Sequence, residues 1–292
     1  MTDWFHGLGL VLRVVDLVRR FIGLVTDYGE GHYAGVLRAV IKGLAPDVEV
    51  VDLEHSVPSY NVLAGAYVIA VTYRWLPRGS IIVGVVDPGV GGPRRPIAVE
   101  AGDYFFVGPD NGLLYPAIES EGFRRGVELR FDKVARLVSG RFPGKLHSWS
   151  LSYTFHGRDL FAPVAALLDS VDLEDLGEPI SEGDLVKLSI HSVEGGDGVY
   201  DVKVIYIDKF GNVVLSCKPG DLNLGDAVEV ELQTERGLFR APIGVTFSSV
   251  PQGELVVYEN SFGYVEVAVN QGNAGELLGV RIGDRVRLRV RY

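Results

Sequence analysis

The densest chemistry in the chain lies in VVDPGVGGPRR at residues 85–95. An apolar run delivers Asp87, then Pro88 and glycines 89, 91 and 92 make a tight turn, then Arg94 and Arg95 follow. Glycine admits positive φ and lets backbone come close to a ligand. A phosphate loop would need Gly-Lys-Ser/Thr opening a helix, and neither is present. FHGRD (155–159) sets His156 and Gly157 at a predicted helix start, with Arg158 and Asp159 close behind. TDYG (26–29) ends an apolar run in Asp27. A carboxylate at a strand end can accept both hydroxyls of a ribose. The glycines that follow, at 29, 31 and 35, do not match G-x-G-x-x-G, which argues against a dinucleotide oxidoreductase.

Three weaker segments complete the set. VGPDNGLL (107–114) reads as a strand running into an Asp-Asn-Gly turn, and turn chemistry alone accounts for it. IDKFGN (207–212) and NSFGYVEVAVNQGNA (260–274) are richer in Asn, Gly and aromatics than a β-barrel requires. Phe210 or Phe247 can stack on a flat base, and Asn212 and Asn273 can pair with its edge. The histidines at 6, 32, 55, 147, 156 and 191 are scattered, with no HxH or HExxH pair, so no metal is expected. Cys217 is the single cysteine, which rules out an internal disulfide and fits a cytoplasmic protein.

The elements that must position these residues fall into two kinds. From about residue 21, strands FIGLVTD, VEVVDL and SIIVGVVD alternate with helices over 31–45 and 61–76, the second stopped by Pro77. Tyr33, Val36, Leu37, Val40, Ile41 and Leu44 share one face of the first helix. PIAVEA and YFFVG read as strands joined at Gly102-Asp103, and 158–169 as a further helix. Such alternation predicts an α/β domain with a mainly parallel sheet covered on both faces. Ligands bind beyond the carboxyl ends of such strands, where Asp27 and Asp87 fall. After about residue 185 the pattern becomes short apolar/polar alternations, including LVKLSIHSV, VYDVKVIYID and RVRLRVRY. That predicts an antiparallel β-barrel domain over 181–292, behind an α/β domain over 21–180.

Length and charge bound the function. The 292 residues suit two domains, with 47% hydrophobic and 23% charged residues. The net charge of −10 and the absence of Lys/Arg runs longer than two argue against nucleic acid. Residues 1–20 are apolar but interrupted by Arg13, Asp16, Arg19 and Arg20, which is too broken to span a membrane. Leu10, Val11, Val14, Val15 and Val18 share a face, so an amphipathic helix packed on protein is expected there.

Taken in order, TDYG, VDLEHSVPSYNVLAGAY, VVDPGVGGPRRPIAV, VGPDNGLL, FHGRD, DKFGN and NSFGYVEVAVNQGNA resemble the adenosine-forming S-adenosyl-L-methionine hydrolases. These are relatives of the S-adenosylmethionine-dependent fluorinases and chlorinases. The resemblance spans about residues 21 to 290 and leaves out the first twenty. It implies an N-terminal α/β domain, a C-terminal β-barrel, and a homotrimer with the substrate held between one subunit's N-domain and the next subunit's C-domain. It implies water attacking C5′ of S-adenosyl-L-methionine to release adenosine and L-methionine, with no cofactor. The family's Asp–Arg–His set maps onto Asp87, Arg94 and His156. Ribose contacts map onto Asp27 and Tyr60, and the methionine ammonium contact onto Asp208. Adenine contacts map onto Pro88, Phe210, Asn212, Phe247, Asn273 and Ala274, and the methionine carboxylate onto Ser261.

In the fluorinases an aromatic residue replaces the Asp at position 87, and Tyr-Ser replaces His156-Gly157, so the resemblance favours water over halide. The sulfonium carbon is already activated and its thioether leaves neutral, so departure needs no acid. The site must orient a water and accept its proton, for which Asp87 and His156 both qualify. Two readings compete: a halide-dependent transferase of the same fold, and a non-catalytic nucleoside-binding protein.

Overall fold

The computed structural model describes residues 21–139 and 149–292, so the helix expected over 1–20 lies outside the described residues. The first sheet is built from β1 (Phe21–Thr26), β2 (Glu49–Glu54), β3 (Ile81–Val85), β4 (Pro96–Ala101), β5 (Tyr104–Pro109), β6 (Phe123–Leu129) and β7 (Gly177–Ile180). Their order is β2-β1-β3-β5-β4-β6-β7. β2, β1, β3 and β5 are parallel, as the strand–helix alternation predicted. β4, β6 and β7 extend the sheet in antiparallel fashion. The two-residue link at Gly102-Asp103 dictates that change, because a hairpin can only join antiparallel neighbours.

Helices α1 (His32–Leu44), α2 (Val62–Thr72), α3 (Tyr115–Glu121), α4 (Phe131–Val138) and α5 (Ala162–Leu167) cover both faces. Alternation along each strand divides the core. Ile22, Leu24, Ile81, Val83 and Val85 pack with α1, α4 and α5. Val25 and Ile82 pack with α2 and α3 on the other face. Period-two side-chain placement in strands makes this division unavoidable. The buried face of α1 is Ala34, Leu37, Val40 and Ile41. Tyr33, expected on that face, is instead 47% exposed, because in the first turn of the helix its ring packs on Tyr28 and Phe155 at the rim of a cavity and not in the core.

Sequence patterning passed over α3, β6 and α4. β6 reads FRRGVEL, and its Arg pair and central Gly126 dilute the strand signal. Arg125 is accommodated by Glu100 and Glu174.

The second sheet comprises β8 (Val193–Gly196), β9 (Val199–Ile207), β10 (Val213–Leu215), β11 (Glu229–Thr234), β12 (Gly237–Pro242), β13 (Leu255–Glu259), β14 (Val265–Val269) and β15 (Arg285–Arg291), with α6 (Ala274–Leu278) beside it. It runs β12-β11-β15-β9-β10-β14-β13, with β8 on β9. Ile243, just past β12, bridges Val257 in β13, which brings the two ends of the sheet together as a nearly closed barrel. β15 shows the alternation plainly: Val286, Leu288 and Val290 are buried and the arginines face out.

The strand expected over 185–193 does not form before Val193. Side chains capture its backbone instead: Val186 N–H donates to Asp110 at 2.9 Å, and His191 N–H to Ser189 Oγ at 3.2 Å. The barrel rests on α2, where the Tyr67 ring meets Tyr206 at 5.3 Å and Tyr264 at 5.4 Å. No helix among the described residues is long and apolar enough to cross a membrane.

Candidate active site

β1 lies between β2 and β3. The chain leaves β1 toward one edge and returns on its other side, so a crevice opens beyond the carboxyl ends of β1 and β3. Asp27 and Asp87 stand there, as their places at strand ends required. They line a cavity of about 260 Å³ together with Tyr28, Tyr60 and His156.

The VVDPGVGGPRR turn folds Arg94 back over the end of its own strand. Val90 N–H donates to the Asp87 carbonyl at 3.3 Å, and Gly92 N–H to that of Gly89 at 3.0 Å. Gly91 has φ 74°, and a Cβ there would collide with the Tyr153 carbonyl, so glycine is required. Arg94 Nε then donates to both Asp87 carboxylate oxygens at 3.0 Å, and Nη2 also donates to Oδ2. The pair is nearly dry, with side-chain exposures of 10% for Arg94 and 5% for Asp87. Arg94 also lies 5.5 Å from the Phe161 ring centroid.

His156 joins the pair from the other side. It precedes a π-helical turn over Gly157–Phe161 that leads into α5. Such local widenings of a helix recur at functional sites. Arg94 Nη2 lies 2.8 Å from His156 Nδ1. A guanidinium only donates, so Nδ1 accepts and the ring proton sits on Nε2. Nε2 is buried and has no hydrogen-bond partner among the described residues. Burial and the Arg94 charge hold the His156 pKa below its ordinary value, with Asp87 opposing them. The three residues therefore form one cluster: a carboxylate, a guanidinium that donates in both directions, and a neutral imidazole with an unused N–H.

Asp27 Oδ2 accepts from Tyr60 N–H at 2.9 Å. That contact holds Tyr60 at φ 65° with its ring 73% exposed. Tyr28 is a lining residue that sequence reasoning passed over, although it stood next to Asp27 in TDYG. Its hydroxyl rests where a side chain on residue 157 would go, so any residue larger than Gly157 would have to displace it. Burial, then the Asp27 and Asp87 carboxylates, push its pKa up, which keeps the phenol protonated. Arg158 and Asp159 of FHGRD are structural: Asp159 accepts from Ser152 N–H at 2.8 Å, and Arg158 pairs with Asp159.

The VGPDNGLL turn does more than turn. Asn111 Nδ2 donates to the Val86 carbonyl at 2.9 Å. Asp110, with its side chain 3% exposed, pairs with Arg95 and accepts from Val186 N–H.

The barrel carries a second group of the expected residues. Asp208 Oδ1 accepts from Phe210 N–H and Asn212 N–H, both at 2.9 Å, and Oδ2 from Asn212 Nδ2 at 3.0 Å. Asp208 thus builds the turn that displays Phe210, which is 65% exposed. Gly275 N–H donates to Gly211 O at 2.9 Å, which docks the Asn273–Ala274 turn on the first. Asn273 Oδ1 caps α6 by accepting from Glu276 N–H at 2.9 Å, and Ala274 is buried beneath. Phe247 is half-exposed on a short turn after β12. Ser261 lines a different groove, of about 610 Å³, with Trp75 and Lys218. Pro88 is exposed on the turn after Asp87. None of the barrel residues Asp208, Phe210, Asn212, Phe247, Ser261, Asn273 or Ala274 lines the Asp27–Asp87 cavity. Within one chain the expected residues therefore fall into two separate groups.

A crevice at a strand switch point, holding a desolvated acid–guanidinium–imidazole cluster, defines an enzyme of the two-domain α/β-plus-barrel class that acts on a small molecule. The chain belongs to the SAM hydroxide adenosyltransferase family: residues 22–177 match its N-terminal domain and 202–287 its C-terminal domain. It is 39% identical to the (R)-S-adenosyl-L-methionine hydrolase of Salinispora tropica, over 92% of this chain and 97% of that one. It is 37% identical to the hydrolase of the same name from Thermus thermophilus, over 92% and 99%. The fluorinase of Actinopolyspora mzabensis is more distant, at 24% identity over 92% and 97%. Among solved structures, an uncharacterized conserved protein from Thermotoga maritima superposes with a TM-score of 0.80 at 32% identity, over 92% of this chain and 99% of that one.

Proposed function

We propose that this chain hydrolyses S-adenosyl-L-methionine to adenosine and L-methionine. The observation that carries the reading is the Asp87–Arg94–His156 cluster beside Asp27 in one crevice. Water oxygen bonds to C5′, the C5′–S bond breaks, and its electron pair stays on sulfur as methionine leaves neutral. The water's remaining excess proton passes to Asp87. His156 is not the base, because its Nδ1 lone pair is occupied by Arg94 and its Nε2 carries the proton. It serves as a donor instead. Asp87 keeps lone pairs beyond those that Arg94 uses. Holding water in line with the C–S bond supplies the main entropic gain. The leaving group is a neutral thioether, so no Lewis acid and no redox cofactor has work to do.

Asp27, with Tyr60, takes the ribose diol. Phe210, Asn212, Phe247, Asn273 and Ala274, with Pro88, take the adenine. Asp208 takes the methionine ammonium and Ser261 the carboxylate. The acidic crevice suits a cationic sulfonium. Two features support a site shared between copies in a homotrimer. The barrel residues stand apart from the crevice, and a cavity of about 260 Å³ falls below the roughly 300–1,000 Å³ of complete small-molecule sites. On this reading residues 21–180 and 181–292 are the two folding units, and the enzyme works in the cytoplasm.

The test is incubation with each sulfur epimer of S-adenosylmethionine in labelled water and chloride. Adenosine carrying labelled oxygen at C5′ is expected. A 5′-chloro-nucleoside would move the chain to the halide-transferring relatives, and label in methionine would reject attack at C5′.

A further inference from the structure

We propose that Asp110 and Asn111 are positioning residues that set the separation of Asp87 and Arg94 by gripping the loop just outside both. The catalytic loop has two ends. At one end, Asn111 Nδ2 donates to the carbonyl of Val86, the residue before Asp87, at 2.9 Å. At the other, Asp110 accepts from Arg95 Nε at 3.1 Å, and Asp110 N–H donates to the Arg95 carbonyl at 2.8 Å. Arg95 immediately follows Arg94. The grip is itself anchored. Asn111 Oδ1 accepts from Leu113 N–H at 3.1 Å, and Asp110 Oδ1 accepts from Val186 N–H at 2.9 Å. Arg95 also donates to the Asp184 carbonyl, so the connector to the barrel closes the same clamp.

A turn made only for its own sake would spend Asp and Asn side chains on local backbone. Here one polar contact of Asn111 is local, and the side-chain contacts of Asp110 are all distant in sequence. Burying a carboxylate is expensive unless it is paired, and its charged pairing falls on the residue next to Arg94. Fixing both ends of the loop fixes the angle at which Asp87 meets Arg94, and through Arg94 the seat of His156. Such shells, which lock the rotamers of reacting groups, separate a productive site from a loose one.

The inference rests on the proposed hydrolysis for its kinetic arm only. Asn111→Ala and Asp110→Asn are compared with Tyr73→Phe in the full chain. Tyr73 is buried and donates to Glu121 at 2.6 Å, so its loss removes a comparable bond with no link to the loop. Should Asn111→Ala fail to fold, Asn111→Ser keeps an acceptor near Leu113 and loses the reach to Val86. The two loop variants should lose kcat by ~10²-fold, the usual penalty for misplacing reacting groups by about 1 Å, with KM little changed. Tyr73→Phe should lose stability without losing kcat. A fall confined to KM, or an equal kcat loss in Tyr73→Phe, would overturn the proposal.

The second readout needs no turnover. The His156 imidazole is followed by nitrogen-15 NMR, assigned by its absence in His156→Gln. Burial first, then the Arg94 charge, depress its pKa, against the smaller opposing pull of Asp87 and Asp159. Loosening the loop admits water and relaxes the Arg94 contact, the two largest causes, so it should raise that pKa in Asn111→Ala and leave it fixed in Tyr73→Phe. An unmoved His156 titration rejects the clamp. A moved titration in a protein that does not turn over S-adenosylmethionine rejects the substrate and keeps the clamp.

Discussion

Arg94 sits 2.8 Å from Nδ1 of His156 and donates to it, which leaves the imidazole one place to carry its proton. A cation that pairs with Asp87 on one side thereby fixes the tautomer of a histidine on the other. The acid limb of kcat should reflect this. On the proposed mechanism His156 works neutral, and burial and Arg94 lower its pKa below the ordinary 6.5. The acid limb of activity should therefore have its midpoint below 6.5. A limb centred at or above 6.5 would contradict the neutral imidazole.

Stability should carry the same signature. The folded pKa of His156 is depressed, so the unfolded chain binds more protons between the two values. The contribution of neutral His156 is complete above 6.5 and is lost as pH falls through the lowered folded value. His156→Gln should therefore flatten the decline in melting temperature over that window relative to the parent.

Asp87→Asn should lower kcat by ~10²–10⁴-fold if it removes general-base assistance. Adenosine affinity, measured by calorimetry, should hold, because the proposed function gives the ribose to Asp27 and not to Asp87. Arg94→Ala should behave differently, since it strands a nearly dry carboxylate. Breaking one side of such a pair costs about 3–5 kcal/mol, read as a lower denaturant midpoint. Retention of full stability in Arg94→Ala would mean that Asp87 finds water or another donor.

Asp208 requires two substitutions to separate its roles. Asp208→Ala removes the acceptor for Phe210 and Asn212, so the displayed turn should collapse and adenosine should be lost with substrate. Asp208→Asn keeps an acceptor oxygen and removes the charge. It should weaken a non-hydrolysable substrate analogue by ~1.5–3 kcal/mol, the worth of a hydrogen bond to a charged group, and spare adenosine. Equal losses in Asp208→Asn would remove Asp208 from the methionine end.

If sites are shared between copies, damage to the two half-sets should complement. Asp87→Asn co-expressed with Asp208→Ala should recover about a quarter of parental activity, the fraction of interfaces that pair two intact halves in a random mixture. No recovery, or a fully active sample sedimenting as one 31.8 kDa chain, would place each site within a single subunit.

Much of this arrangement was legible in the residues. Strand-end aspartates 27 and 87 mark the crevice because buried parallel strands can shed their charge only at their ends. The barrel was legible in alternation such as RVRLRVR. Three things were not. The β4–β5 hairpin was legible, but the antiparallel strands beyond it, β6 and β7, hide behind the Arg pair in β6. The stretch from 185 to 192 alternates like a strand yet is held by Asp110 and serine side chains. The reach of Asn111 to Val86 depends on β5 lying beside β3, which no local pattern announces. Asp208 was legible as a ligand candidate but not as the keystone of its own turn.

The hydroxyl of Tyr28 occupies the space that any side chain on residue 157 would enter. That couples the two positions: a side chain at 157 is admitted only as far as the Tyr28 ring gives way, so the shape of this corner of the crevice is set by a pair of residues and not by either alone.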